Sequence, residues 1–579
     1  MNPLICRRAV PPKHQLSAAI PPLLQRVLAA RAVTCDADIT LSFKTLLPPN
    51  LLAGIDAAVA LLIAQLEKQG RVLIVSDFDA DGATSCVLAL RALRAMGFAN
   101  VDYIVPNRFE YGYGLTPEIV TLAKDKQPDL LLTVDNGISS VEGVDAAHAH
   151  GMKVLITDHH LQGRELPKAD AIVNPNQHAC DFPSKSLAGV GVVFYVLAAL
   201  RSALRDRNWF QENALPEPNL ASYLDIVALG TVADVVALDR NNRILVSEGL
   251  KRIRAGRACA GINALLTIGK RNPANLVASD LGFAVGPRLN AAGRLDDMSL
   301  GIECLLCDDP QQAMQMAQEL DAMNQQRKTI ETDMRNQALE VLDTLSLDEA
   351  QMPAALTLYN AQWHQGVIGI LAARIKERYH RPVIAFADAN SDGEEMKGSA
   401  RSIPGLHIRD ALDAVATQNP GLISRFGGHA MAAGLSLRKA DLTRFSEAFE
   451  KVVAMQLGED ELQARLVTDG KLETAELNLS NAELLRQYGP WGQHFPEPSF
   501  DGEFLIAQYR VLGGAHLKLV LCPVDDKQCV LDAIAFNVDT AAWAGCNNWR
   551  VRVVYRLDVN EFRGQRNLQL LIEHIELCE

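Results

Sequence analysis

Between residues 70 and 235, short aliphatic runs alternate with longer stretches in which apolar positions recur at helical spacing. RVLIVSD (71–77), LLLTVD (130–135), KVLITD (153–158) and AIVNP (171–175) are apolar without alternation, the pattern of strands buried on both faces, and Pro175 stops the last. Around them the spacing predicts helices from about Thr84 to Met96, Val141 to His150, Ala188 to Leu204 and Leu220 to Leu229. Strand–helix alternation with short links predicts a parallel sheet covered on both faces, with ligands beyond the carboxyl ends of its strands.

From Pro310 to about Leu342 there is no glycine and no further proline, and Ala313, Ala317, Leu320, Met323, Ile330, Met334, Ala338 and Val341 recur at helical spacing. At 1.5 Å per residue this is a rod of roughly 50 Å, with too few hydrophobic positions per turn to fill one core, so a helix bridging two domains is expected. A second α/β segment covers about 353–457. After about 465 a helical period appears only at 475–487, followed by GEFLIAQYRVL, HLKLVLCPV, CVLDAIAFNV, WRVRVVYRL and NLQLLIEHIEL, the signature of a small all-β barrel. The expected division is 1–45, a segment packed on the core; 46–305, the first α/β domain; 306–345, the connecting helix; 346–460, the second α/β domain; and 465–579, the barrel.

Composition adjusts this picture in three places. The longest apolar stretch, Val190 to Leu200, is too short to span a membrane, and MNPLICRRAVPPKHQ has no apolar segment with a cleavage site, so a cytoplasmic protein is expected. The 11 cysteines are scattered and odd in number, and Cys304 and Cys307 form a CxxC with no second ligand pair, which predicts core packing rather than disulfides or zinc. The net charge of −13 argues against a nucleic-acid partner, although metal-binding carboxylates count in that sum but not in a loaded site. Lys251 to Arg271 carries six basic residues and no acid, either a solvated helix face or a phosphate-contacting stretch.

The chemistry gathers at the strand ends. The first strand runs into Asp77-Phe78-Asp79-Ala80-Asp81-Gly82, the second into Asp135-Asn136-Gly137 and the third into Asp158-His159-His160; Asp234 follows a helix in VALGTVADVV. One strand-terminal aspartate is an ordinary helix cap. Acids on three successive strands, three of them alternating on the first, repel one another unless a cation lies between them. Carboxylates with one or two imidazoles and no thiolate suit Mn2+ or Mg2+ better than structural Zn2+, and there are ligands enough for two ions. Two such ions about 3.5–4 Å apart activate water and stabilise the leaving oxygen of a phosphodiester.

DFDADG, DNG, DHH and VADV, in this order, resemble the four motifs of the DHH phosphoesterase superfamily, and their spacing with the later motifs resembles its RecJ branch of single-strand-specific exonucleases, from about residue 45 to the end. The resemblance implies one ion on Asp79 and Asp135 with Asp77 close by, as ligand or as an acid orienting a water. It implies a second ion on Asp81, Asp135, His159 and Asp234, with Asp135 bridging. His160 is then expected to face the scissile phosphate, and Asp158 to orient His159 or cap the following turn. The second domain resembles DHHA1, expected to clamp the strand, and the barrel resembles an oligonucleotide-binding (OB) fold that narrows the entrance to a single strand.

For the substrate, Arg288, Asn290 and Arg294 come from GPRLNAAGR, His364 from WHQGVIG, Ser399 and Arg401 from KGSARS, and Gly427, Gly428 and His429 from RFGGHAMAAG. Alone each is weak, and GGH before a run of small residues ordinarily starts a helix. Together, by resemblance, Arg288, Ser399 and Arg401 receive the 5′ end or nearby phosphates, and His364, Gly427, Gly428 and His429 line the channel. Arg108 and Tyr111 to Tyr113 either contact a base or pack as a loop. Of Tyr509, Phe536, Trp549, Tyr555 and Phe562 in the barrel, most are expected in its core. The resemblance further implies a 5′-to-3′ exonuclease acting as a monomer in DNA repair and recombination, with single-strand-binding protein and a RecQ-type helicase as partners. Relatives acting on cyclic dinucleotides, short RNAs or pyrophosphate need neither long helix nor barrel, and a decayed scaffold does not keep every carboxylate.

Overall fold

The computed structural model describes residues 3–11, 15–107, 111, 114–163, 165–344, 352–389, 394–562 and 564–578. The chain divides into two compact units, one of residues 319–466 with 294–296 and the chain start, the other of residues 5–293, 297–318 and 467–579. The expected bridging helix is continuous from Pro310 to Thr344, and the division falls within it.

In the larger unit, five parallel strands lie in the order Val101–Ile104, Val72–Ser76, Leu130–Val134, Lys153–Thr157, Ala171–Val173. The strands Val72–Ser76 and Leu130–Val134 are buried at every position, which explains their unbroken apolar runs. Val101–Ile104 is an additional edge strand that sequence reading does not register, because it is only four residues long and exposes Asp102. Helices Ala80–Ala95, Gly189–Asp206 and Leu224–Ala233 pack against one another beside the sheet. The first begins four residues earlier than the apolar period suggests, because Asp79 caps its N-terminus by accepting from the backbone N–H groups of Asp81 and Gly82.

The same unit carries the closed barrel, whose strands Phe500–Leu512, His516–Pro523, Leu531–Ala535, Gln565–Leu577 and Arg550–Phe562 follow one another round the ring. Arg486 donates to the Asn275 carbonyl and Asn275 to Glu561, tying barrel and sheet portions together. The N-terminal segment is sewn on by a buried Arg31–Asp469 ion pair at 2.7 Å. Of the barrel aromatics, Tyr555 is core, Tyr509 and Trp549 are half-buried, and Phe536 is exposed. Cys304 is buried and its thiol faces the Ala313 carbonyl, in keeping with a packing role.

The smaller unit holds a mixed sheet ordered Arg425–Gly428, Ala432–Arg438, Glu395–Arg401, Val383–Asp388, Leu356–Tyr359, parallel only in its last pair. Here the expected helix start at GGH is instead a β-hairpin. Gly428 sits at φ +145°, and a Cβ there would lie 2.4 Å from the Ala432 carbonyl oxygen, so the glycine serves a tight antiparallel return rather than a cap.

Four of the six basic residues in the Lys251–Arg271 stretch make contacts within the protein. Lys251 pairs with Glu248, Arg252 with buried Asp225, Arg271 with Asp280, and Arg254 donates to the Leu276 carbonyl.

Candidate functional site

Register builds the site. Ser76 lies opposite Val134, Val134 opposite Thr157, and Thr157 opposite Val173. The next residue on each strand, Asp77, Asp135, Asp158 and Asn174, therefore leaves the sheet at one level, and the ladder extends by Asp77 N–H to the Val134 carbonyl, Asp135 N–H to Thr157 and Asp158 N–H to Val173. Parallel pairing thus turns acids separated by tens of residues into one row.

Ligand atoms of Asp77, Asp79 and Asp135 lie within 4.8 Å of one another, as do those of Asp81, His159 and Asp234, and those of Asp135, His159 and His160. His159 Nε2 is 3.2 Å from Asp135 Oδ1 and 3.5 Å from Asp234 Oδ2. Neither His159 Nε2 nor Asp234 Oδ2 makes a hydrogen bond within the protein, although both are buried. Buried polar atoms without partners are costly, and a cation between them removes the cost. Asp234 caps the C-terminus of the Leu224–Ala233 helix, the end where the macrodipole disfavours a carboxylate, so it too calls for positive charge.

The titration behaviour agrees. Burial first, then the mutual repulsion of the acids, pushes Asp81 and Asp234 up to about 7 and raises Asp135 well above the carboxylate range. Burial and the neighbouring His160 hold His159 below its ordinary value, in the neutral form that ligates metal. Carboxylates, one neutral imidazole and no thiolate among these groups fit hard divalent cations.

The surroundings fix the ligands. Asp81 Oδ2 accepts from Gly189 N–H at 2.6 Å and Oδ1 from Val190 N–H at 2.9 Å, the first amides of the Gly189–Asp206 helix. Gly189 has no room for a side chain, since a Cβ would stand 2.6 Å from Asp135 Oδ1. Asp135 occupies the left-handed region at φ +63°, and Asn136 secures its turn by donating to the Val75 and Val134 carbonyls. Asn174 and Asn176 donate to the carbonyls of His160 and His159. The sequence alone assigns no role to Gly189, Asn136, Asn174 or Asn176; the NPN at the end of the fourth predicted strand is the available signal for the last two.

Asp158 departs from expectation in its partner. Its Oδ1 faces His160 Nδ1 at 2.7 Å and accepts from the His159 and His160 backbone N–H groups, while Oδ2 accepts from Ile138 N–H. It caps the turn as expected but orients His160, not His159. Burial pushes Asp158 up, but His160 outweighs it and holds it at about 2. Burial pulls His160 down, while Asp158, Asp234 and Asp77 raise it to about 9.

The substrate candidates separate. In the larger unit, Asn290 Oδ1 accepts from Ala80 N–H at 2.8 Å, and a Cβ on Gly293 would stand 1.8 Å from the Phe78 carbonyl oxygen, so the Gly286–Leu295 helix seats the DFDADG loop directly. Arg288 donates to the Ala284 carbonyl. Arg108, Gly112 and Tyr113 lie outside the described residues, and Tyr111 packs against the core of the first sheet. In the smaller unit, Arg401 donates to Ser399 Oγ at 3.1 Å, and a Cβ on Gly369 would lie 2.8 Å from both Ser399 Oγ and an Arg401 nitrogen. Gly369 opens the Ile368–Tyr379 helix, so arginine, hydroxyl and helix N-terminus come together, an arrangement suited to phosphate. Gly427, Gly434 and Ser399 share one row of the sheet. His364 accepts from Gly366 N–H through Nδ1 just before that helix, and His429 N–H bonds the Ala432 carbonyl in the hairpin. Arg294 reaches the Gly366 carbonyl.

Comparison with known proteins matches residues 71–231 to the DHH family N-terminal domain, 353–455 to the DHHA1 domain and 468–574 to the RecJ OB domain. The single-stranded-DNA-specific exonuclease RecJ of Dickeya dadantii is 54% identical over 569 residues, covering 98% of each chain. Crystal structures of RecJ from Thermus thermophilus in complex with Mn2+ and with Mg2+ superpose with TM-scores of 0.77 and 0.71 at 28% identity, covering 98% of this chain and 80% and 79% of theirs. No described helix is long and apolar enough to cross a membrane on its own.

Proposed function

The chain belongs to the RecJ family of DHH proteins, and on that premise we propose that it is a single-stranded-DNA-specific exonuclease that cuts phosphodiester bonds at the row of strand-end acids. The observation that carries this is the convergence of Asp77, Asp79, Asp81, Asp135, His159 and Asp234 into adjoining ligand sets. Asp79 and Asp135, with Asp77, hold one divalent ion, Mn2+ or Mg2+, and Asp81, His159 and Asp234 the other, with Asp135 between them. Such ions supply the positive charge that activates water and offsets charge on the departing oxygen. Asp81 is positioned for this by the amides of Gly189 and Val190, and Asp135 by its left-handed turn. His160, its Nδ1 turned to Asp158, presents its other nitrogen to the scissile phosphate.

In the smaller unit Arg401, Ser399 and the start of the Ile368–Tyr379 helix take a phosphate, the 5′ end of the strand in a 5′-to-3′ enzyme releasing 5′-mononucleotides. His364, Gly427, Gly428 and His429 follow the backbone from there. Arg288 is assigned to a phosphate and Arg108 to a base, and Asn290 acts through the DFDADG loop it holds. The barrel, one body with the metal-bearing sheet, guides the strand. Action in repair and recombination as a cytoplasmic monomer, beside single-strand-binding protein and a RecQ-type helicase, completes the reading by family resemblance.

A time course on end-labelled single- and double-stranded DNA, with chelator and then with Mn2+ or Mg2+, tests it. The expected result is metal-dependent loss of single strands from the 5′ end, abolished in Asp135→Ala. Digestion of duplex at equal rate, or an Asp135→Ala variant with full turnover, overturns it.

A further inference from the structure

Two of the most exposed large hydrophobic side chains are Phe283, at 81% exposure, and Val235, at 64%. Val235 follows the proposed ligand Asp234 directly and is held at φ +62°, a region that costs a β-branched residue dearly. Phe283 lies in a π-helical turn, Leu281–Val285, that feeds the helix seating the DFDADG loop. The turn lies against the end of the Asp234 helix: Cβ atoms on Gly282 and Gly286 would stand 3.3 Å from Val232 and 3.2 Å from Ala233. Leu281, Ala284 and Val285 are buried, and Arg288 donates to the Ala284 carbonyl inside the turn. The wider π turn thus buries its other apolar residues while leaving the phenyl ring in solvent. Such turns are uncommon and concentrate at functional sites, as does retained backbone strain.

A phosphodiester bound at Asp234 lies next to the helix end on which this turn packs, and a nucleobase is a flat apolar face seeking a partner. We propose that Phe283 and Val235 form a rim of the metal centre, with Phe283 the platform on which a base of the strand being cut stacks, a specificity element that reads the presence of a base and not its identity. The inference rests on the exonuclease reading above and names one further contact of that substrate. Stacking on an aromatic ring is sequence-tolerant because every base has a π face. The net charge of −13 fits this as well, since stacking supplies affinity that does not depend on basic residues.

The test compares wild type, Phe283→Ala and Phe283→Trp on a 5′-phosphorylated oligothymidylate and on the same backbone with abasic residues near its 5′ end. Affinity is read by fluorescence anisotropy with chelator present, and KM and kcat with Mn2+. For the base-bearing strand, Phe283→Ala is expected to raise Kd and KM about 5- to 100-fold, with Phe283→Trp restoring both. On the abasic strand wild type and Phe283→Ala should be alike. Unchanged Kd and KM in Phe283→Ala, or equal losses on both strands, overturn the platform while leaving the exonuclease reading intact. A wild type that cuts neither strand defeats that reading and the platform with it.

Discussion

His160 Nδ1 lies 2.7 Å from Asp158 Oδ1, so the second histidine of the DHH motif is aimed by the aspartate two residues before it. The same carboxylate accepts the backbone N–H groups of Ile138, His159 and His160, so it fixes the turn and the ring together. Asp158→Asn puts an amide N–H against one of these donors and removes the negative charge that faces His160 Nδ1. Turnover is expected to fall about 10- to 100-fold, with a stability loss of about 1–3 kcal/mol from the unmet donor. Steady-state hydrolysis and urea unfolding check both; an unchanged kcat would mean that His160 needs no orienting partner.

Gly189 carries a second prediction. A methyl group there would meet Asp135 Oδ1 at 2.6 Å and Asp135 Cβ at 2.8 Å, while the amide of the same residue donates to Asp81. Gly189→Ala therefore presses on the two carboxylates that lie deepest in the site. Overpacking of this kind costs about 1–3 kcal/mol. The larger effect is expected in calorimetric Mn2+ affinity, which should weaken more than tenfold while the folded circular-dichroism spectrum persists. Wild-type affinity would show that Asp135 has room to yield.

The contrast between Asp135 and Gly189 also explains what the sequence discloses. DFDADG, DNG and DHH are local strings ending predictable strands, so the row of acids is legible from residue order alone. Gly189 touches Asp135 across 54 residues of chain, and nothing in LAGVG marks it. Asn290 is the converse: its type and its place in GPRLNAAGR suggest phosphate, while its Oδ1 accepts from Ala80 N–H, a partner that the string does not announce. Within the basic stretch, likewise, Arg252 and Arg271 find partners in Asp225 and Asp280, which lie outside it. Residue type and period give the elements; the partner that decides a side chain's role is set by packing.

The raised carboxylates predict how metal and pH are linked. Asp81 and Asp234 move from an ordinary 3.8 up to about 7 in the metal-free protein, through burial first and neighbouring acids second. A carboxyl group whose folded value is raised contributes stability fully present below about pH 4 and lost as pH rises through 7. Bound divalent cations reverse this by favouring the ionised form, so binding releases protons and tightens with pH. The rise in melting temperature on adding Mn2+ should therefore grow from about pH 5.5 to about pH 8. Calorimetry near pH 6.5 in buffers of different ionisation heat should report proton release. Metal affinity that is flat across this window would contradict the linkage.

Val235 offers the sharpest separation of strain from contact. Its φ of +62° costs about 1–2 kcal/mol for a residue with a side chain, and its 64% exposure means that little packing offsets it. Val235→Gly relieves the strain and forfeits part of the gain to the freer unfolded chain, for a net stabilisation of about 0.5–1 kcal/mol. The backbone that carries Asp234 then has more freedom, and turnover should fall about tenfold or more, because small displacements of a ligand are costly. Val235→Ala keeps the left-handed strain while trimming the rim, so it should leave kcat near wild type and raise KM. Urea unfolding with steady-state kinetics on all three proteins distinguishes the two roles. A glycine variant both more stable and fully active would show that the left-handed turn after Asp234 is a tolerated defect rather than the feature that sets the ligand's position.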